Sequence, residues 1–190
     1  MKEVNRMKRI IGFVIICAMI LSFSCCASEK AEVDTTAGEG LLSSFAAVDT
    51  DGNIVDQSIL KDCKLTMINV WGTFCGPCIR EMPDLAALND KYAERGFQII
   101  GIPIDVVDNN LNRIPDKIAE MNGIIETTGA DYRHLIPSKS LNDALLASLF
   151  AVPVSFFFDS DGRLIGEAYM GSRSVAEWET IINSILESMK

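Results

Sequence analysis

Leu65-Thr-Met-Ile-Asn-Val-Trp-Gly-Thr-Phe-Cys-Gly-Pro-Cys-Ile-Arg-Glu-Met-Pro83 is the stretch on which the fold turns. Its first part, Leu65 to Trp71, is an apolar, β-branched run of the length of a buried central strand. Beyond Cys75 and Cys78, the residues Ile79, Met82, Leu85, Leu88 and Tyr92 recur at helical spacing, and Gly96 supplies the stop. Pro83 falls inside this helix and is expected to kink it. The two cysteines therefore lie between a strand end and a helix start. At positions i and i+3 of a first helical turn, both sulfurs face the same side and are near enough to bridge.

Working outward, Phe97-Gln-Ile-Ile-Gly-Ile-Pro-Ile104 predicts a second buried strand. Ile114, Ile118, Met121 and Ile125 mark an amphipathic helix that Pro115 can begin. Tyr132 to Ile136 predicts a short strand and Leu141 to Phe150 a short helix. Val154-Ser-Phe-Phe-Phe158 predicts another strand, turning at Ser160-Asp-Gly162 into Leu164 to Met170. A last helix, Val175 to Met189, places Trp178, Ile181, Ile182, Ile185 and Leu186 on one face. Toward the N-terminus, Phe45 to Val48 and Asn53 to Val55 predict a β-hairpin about Asp51-Gly52. Strands alternating with helices and then a late hairpin give an α/β fold, a mixed central sheet flanked by helices. The chain is 48% hydrophobic and shows no internal repeat, which suits one globular domain from Leu41 to Lys190.

The N-terminus reads differently. Lys2, Arg6, Lys8 and Arg9 are followed by an uncharged stretch of 14 residues, Ile10 to Phe23. A bilayer-spanning helix needs roughly 20 apolar residues, so residues 1–24 read as a signal peptide, with Cys17 inside it. Small residues follow, and the site resembles a bacterial lipobox with lipid attachment at Cys25. Ser22 stands where an aliphatic residue is usual, which keeps Cys26 open. Residues 25–40 are polar and Gly-containing and read as a tether. The expected setting is thus extracytoplasmic, with the domain held to the bacterial cell membrane as a lipoprotein. The chain carries −9, and removing residues 1–24, at net +3, leaves −12. Such an acidic surface offers no electrostatic reason to bind nucleic acid.

The helix start gives the cysteines a chemistry. Unpaired N–H groups and the positive end of the helix dipole favour a thiolate there, and a lowered thiol pKa makes a nucleophile near neutral pH. Cys75, nearer the helix end and solvent, is expected to attack a substrate disulfide, and Cys78 to resolve the mixed disulfide. One alternative is a structural disulfide, although a bridge closing so short a loop removes little chain entropy. Another is a zinc site, for which only Cys63 and His134 remain as further Cys/His ligands in the globular part.

Trp71-x-x-x-Cys75-Gly76-Pro77-Cys78-x-x-Glu81-x-Pro83, the later Val152-Pro153 before an aromatic strand, and Asp159-Ser-Asp-Gly162 together resemble the thioredoxin superfamily. More narrowly, they resemble its membrane-tethered extracytoplasmic oxidoreductases of the TlpA/ResA-like group. The resemblance implies a thioredoxin fold with an N-terminal β-hairpin extension and a central insertion around Val107 to Tyr132. It implies that Cys75 attacks, Cys78 resolves, Pro153 is a cis-proline beside the disulfide, and Glu81 is an acid kept close to the cysteines. Trp71, Phe74, Gly76, Pro77 and Val152 would support the site. Glu81 falls one helical turn beyond Cys78, where it can transfer a proton if partly buried, or stand exposed as a first-turn acid favoured by the dipole. Thioredoxin has a buried Asp on the preceding strand; Asn69 stands there instead. Phe74 replaces a common Trp and Val154 a common Thr, and both are expected to line the substrate groove.

The same resemblance implies no cofactor or metal beyond the redox-active cysteine pair. It implies oxidised exported proteins, such as apocytochrome c, as substrates, and a membrane thiol electron donor. Gly76-Pro77 is the dipeptide of reducing thioredoxins, so a reductase is expected, with an oxidase or isomerase as the alternative. A copper-binding assembly factor would want Cys-x-x-x-Cys, one residue longer, and a peroxidase a different cysteine setting. His134 is expected on the surface, Cys63 as a buried or loop thiol, and Phe156 to Phe158 in the core. Asp49, Asp51, Asp159 and Asp161 are expected to form turns rather than a calcium site, lacking a suitably spaced bidentate acid.

Overall fold

The computed structural model describes residues 40–189. The expected signal peptide, Cys17, Cys25, Cys26 and all but the last residue of the tether lie outside them. Among the described residues, no helix is long and apolar enough to cross a membrane.

In chain order the elements are β1 (Ala46–Asp49), β2 (Ile54–Asp56), β3 (Leu65–Trp71), α1 (Gly76–Tyr92), β4 (Phe97–Pro103), α2 (Pro115–Thr128), β5 (Leu135–Ile136), α3 (Lys139–Leu141), β6 (Val154–Asp159), β7 (Leu164–Met170) and α4 (Val175–Ser188). Turn chemistry sets the hairpins. The Asp49 carboxylate accepts from the N–H groups of Asp51 and Asn53 at 3.1 and 2.8 Å, closing β1 onto β2 with Gly52 at φ 89°. Asp159 does the same for β6 and β7, accepting from Asp161 and Arg163 at 2.9 Å each, with Gly162 at φ 74°. A third copy sits after β4, where Asp108 accepts from Asn110 and Asn112. There Leu111, not glycine, takes the positive φ, 63°. For a residue with a branched side chain that conformation is strained.

β3 is central. It pairs in parallel with β4, Leu65 opposite Phe97, and antiparallel with β6, which pairs with β7, giving the order β4-β3-β6-β7. The parallel pair needs a crossover, and α1 supplies it. A second small sheet, β2-β1-β5, carries the N-terminal hairpin. Because side chains alternate along β3, the main sheet serves two cores. Met67 and Trp71 point toward α1 and α4, among Met82, Leu85, Phe157, Trp178 and Ile182. Ile68 and Val70 point to the other face, toward the hairpin and α3, among Leu42, Leu60, Ile100, Leu141 and Phe158. This is the thioredoxin arrangement that the motifs imply, with the mixed sheet flanked by helices and the hairpin extension in place.

Some expectations need adjustment. α1 runs on through Pro83, which is exposed and cannot donate to the Ile79 carbonyl. The helix expected from Leu141 to Phe150 is shorter. Ser138 caps α3, a π-helical turn runs over Asn142–Leu146, and Phe150 is exposed. The strand expected from Tyr132 contracts to Leu135–Ile136, because the backbone there turns to bond β4 through Gly101 N–H and Arg133 C=O.

Candidate active site

Cys75 is the N-cap of α1, and Pro77 lies in its first turn, where a missing N–H costs nothing. Cys75 and Cys78 are joined as a disulfide, with Cα atoms 5.3 Å apart. The Cys78 N–H points at Cys75 Sγ from 3.3 Å, so a backbone donor already faces the sulfur that would carry charge once the bond opens. Both cysteines are largely covered, Cys75 at 6% and Cys78 at 2% exposure, with Cys75 the more open. A Cβ on Gly76 would come within 3.3 Å of the Arg80 guanidinium, so Arg80 lies over this turn.

The Val152–Pro153 bond is cis, and the Val152 carbonyl oxygen is 3.7 Å from Cys75 Sγ. The Pro153 carbonyl accepts from Gly171 N–H at 2.9 Å, tying this loop to the end of β7. Phe74 is 66% exposed, with its ring folded over Gly72, and Phe150, two residues before Val152, is 85% exposed. The disulfide therefore lies between two segments that present aromatic side chains to solvent. Val154, expected in the substrate groove, is instead buried on the far face of the sheet with the hairpin core. Strand alternation sends it there.

Glu81 is 4% exposed, not a solvated first-turn acid. Its Oε1 accepts from the Trp178 indole at 2.6 Å and from the Arg173 backbone N–H at 2.7 Å, while Oε2 has no partner among the described residues. Burial pushes this carboxyl above its usual range, against the lowering effect of those two bonds and the Arg173 charge. An acid held this way can take up and return a proton closer to neutral pH. Asn69, at the site of the thioredoxin Asp, is buried and donates to Ser155 Oγ at 3.1 Å; its carboxamide does not titrate and so cannot take an acid–base role.

His134 corrects the sequence reading. It is 1% exposed rather than at the surface. An indole only donates, so Trp71 Nε1 gives its hydrogen to His134 Nδ1 at 3.3 Å, and His134 Nε2–H donates to the Ala130 carbonyl at 3.0 Å. Burial pushes the imidazole down to about 4. Its ring stacks on Tyr132 at 4.7 Å and fills the space where Gly101 lacks a side chain. Trp71, expected to support the site, is fully buried in the same core cluster as Cys75 and Cys78 and bonded to this histidine. The clue lay in the alternation of Tyr132, His134 and Ile136, which shares one strand face.

A second unforeseen group holds the loop between β3 and α1. Asp105 accepts from Thr73 N–H and Oγ1 at 2.9 and 2.6 Å, and Lys117 of α2 reaches Thr73 Oγ1 at 2.8 Å and Asp105 at 3.4 Å. Burial pushes the Asp105 carboxyl up, but these bonds outweigh it and hold it below the usual range. Cys63 lies apart from the site, in the loop before β3. Burial and the Asp62 charge push its thiol up, which leaves it less thiolate.

A thioredoxin fold with a bridged Cys-x-x-Cys at a helix start, facing a cis-proline, defines a thiol–disulfide oxidoreductase. The chain belongs to the Redoxin family, whose model matches residues 36–182. It is 29% identical over 149 residues to the thiol-disulfide oxidoreductase ResA of Bacillus anthracis, covering 74% of each chain. To ResA of Bacillus cereus it is 30% identical over 131 residues, 65% of this chain and 64% of that one. Among solved structures, a thiol:disulfide interchange protein of the thioredoxin family from Chlorobium tepidum TLS superposes with a TM-score of 0.62. That structure is 25% identical, and the match covers 79% of this chain and 98% of that one.

Proposed function

We propose that this oxidoreductase works as a reductase of disulfides in exported proteins, held outside the cytoplasm by lipid on Cys25 or Cys26. The observation that carries the chemistry is the Cys75–Cys78 bridge at the start of α1, with a buried, partly unpartnered acid one turn further on. In the reduced protein, the Cys75 thiolate attacks one sulfur of a substrate disulfide. The substrate S–S bond breaks, its other sulfur leaves with the bonding pair and takes a proton, and a mixed disulfide forms. Cys78 then gives its proton to Glu81 and attacks Cys75. The Cys75–Cys78 bond forms, the second substrate sulfur leaves as a thiolate and is protonated, and the protein ends oxidised by two electrons. Pro153 and Val152 would align the substrate backbone beside Cys75, and Phe74 and Phe150 would receive apolar side chains flanking the substrate cysteine.

The cysteine pair needs no further cofactor for this cycle. Its recharging requires a dithiol donor, which the resemblance assigns to a membrane thiol transporter, and apocytochrome c is one substrate of the right kind. Gly76-Pro77 supports the reducing direction. Equilibration of the protein against thiol–disulfide buffers tests it. A potential near roughly −270 mV, the thioredoxin value, supports a reductase, and one near about −120 mV refutes it in favour of an oxidase. Trapping with Cys78→Ser in cells should capture substrates as mixed disulfides on Cys75. Capture by Cys75→Ser instead would reverse the two roles.

A further inference from the structure

Phe74 stands next to Cys75 and is largely exposed, yet the loop that carries it is tied down by charge. Its ring packs against Gly72, where a Cβ would lie 2.6 Å from it. The Gly72 carbonyl accepts from the Cys75 N–H at 2.9 Å, which closes the turn around Phe74. Thr73 is buried between them, and both of its donors go to one carboxylate. Its N–H and hydroxyl reach Asp105 at 2.9 and 2.6 Å. The same hydroxyl oxygen accepts from Lys117 at 2.8 Å, and Lys117 also pairs with Asp105 and Glu120. Bonds to an ionised partner are roughly twice as strong as neutral ones. Among the described residues the hydrogen-bond neighbours of Cys75 Sγ are Cys78 and Val152, so these charges act on the loop and not on the sulfur.

We propose that Asp105 is a positioning residue: through Thr73 it presets Phe74 as a rigid platform, which makes the protein favour disulfides whose cysteine is flanked by an aromatic side chain. An aromatic ring offers a large apolar area with few rotatable bonds, and a partner ring stacks on it. A platform that is already ordered pays no ordering cost when the substrate arrives, whereas a loose loop must be fixed at that moment. Lys117 belongs to α2, so the central insertion takes part in choosing the substrate. The contribution belongs to binding, because the proton and electron transfers between the sulfurs do not pass through Asp105. The proposal deepens the reading of Cys75 as the attacking cysteine and rests on it.

The test mixes the full protein, reduced beforehand, with two disulfide-linked peptide dimers whose single cysteine is flanked by Phe or by Ser. Each rate constant is divided by that of the same dimer with dithiothreitol, which removes differences in the reactivity of the disulfide itself. The Phe dimer should react about tenfold faster than the Ser dimer, the gain lying in half-saturation rather than in the saturating rate. Asp105→Asn should cut that ratio about threefold, and Thr73→Ser, which keeps both donors, should restore none of the loss because it causes none. If Asp105→Asn does not fold, Thr73→Val removes the hydroxyl alone and should cut the ratio in the same direction. Phe74→Ala should abolish most of the preference, and adding Asp105→Asn to it should lower the ratio no further. A wild type without preference for the Phe dimer overturns the proposal. So does an equal slowing of both dimers in Asp105→Asn, or the same loss of ratio with Phe74 already removed, since either would make Asp105 a support of the fold alone. If the protein reduces neither dimer but oxidises the thiol peptides, the reductase reading fails, and the Phe-to-Ser ratio measured in that direction still decides the role of Asp105.

Discussion

Acidification should destabilise this protein through His134. Burial lowers the imidazole from its ordinary 6.5, which the unfolded chain keeps, to about 4 in the folded protein. Between those values the unfolded state binds more protons, so stability present above pH 6.5 is lost as pH falls. That gap corresponds to about 3 kcal/mol below both values, most of it already lost at about pH 4.5. That is a large share of the roughly 5–15 kcal/mol that holds a domain folded. Glu81 acts the other way, because its raised pKa favours the folded form as pH falls. A comparison with His134→Gln therefore isolates the histidine, glutamine keeping one donor and one acceptor for Ala130 and Trp71. Urea unfolding followed by fluorescence of Trp71 and Trp178, at about pH 7 and about pH 4.5, measures it. The wild type should lose about 2–3 kcal/mol more than the variant between the two conditions. Equal losses, within about 0.5 kcal/mol, would refute the assignment of a buried neutral imidazole.

Gly101→Ala should be costly, since a Cβ there would sit 2.2 Å from His134 Nδ1. Overpacking of about 1–3 kcal/mol, and about 1 kcal/mol for the Trp71–His134 bond, should appear as a lower urea midpoint. Most of it should be recovered in Gly101→Ala with His134→Ala. Leu111→Gly should stabilise by about 1 kcal/mol by relieving the positive φ, measured by the same titration. Asp105→Asn removes the charge that ties Thr73 to Lys117. It should cost about 1–2 kcal/mol and speed exchange of the Thr73 amide hydrogen, loosening the segment that leads into Cys75.

The chain's periodicities determined much of this. The apolar run from Leu65, the helical spacing after Cys78 and the Asp-x-x-Gly turns act within a few residues of themselves, so the sequence by itself placed β3, α1, both hairpins and the cysteine pair. Burial of polar side chains is another matter, because it depends on what distant segments bring. Glu81 was legible as one turn beyond Cys78, but its covering by Trp178 and Arg173 comes from residues some ninety positions away. His134 looked like a strand residue facing water until the missing side chain at Gly101 gave its ring a place. The pleat turned Val154 into the core, and the early end of the helix left Phe150 exposed, neither of which local pattern resolves. Local spacing specified where the sulfurs would be; only tertiary packing decided which polar groups around them would lose water, and with it their proton affinities.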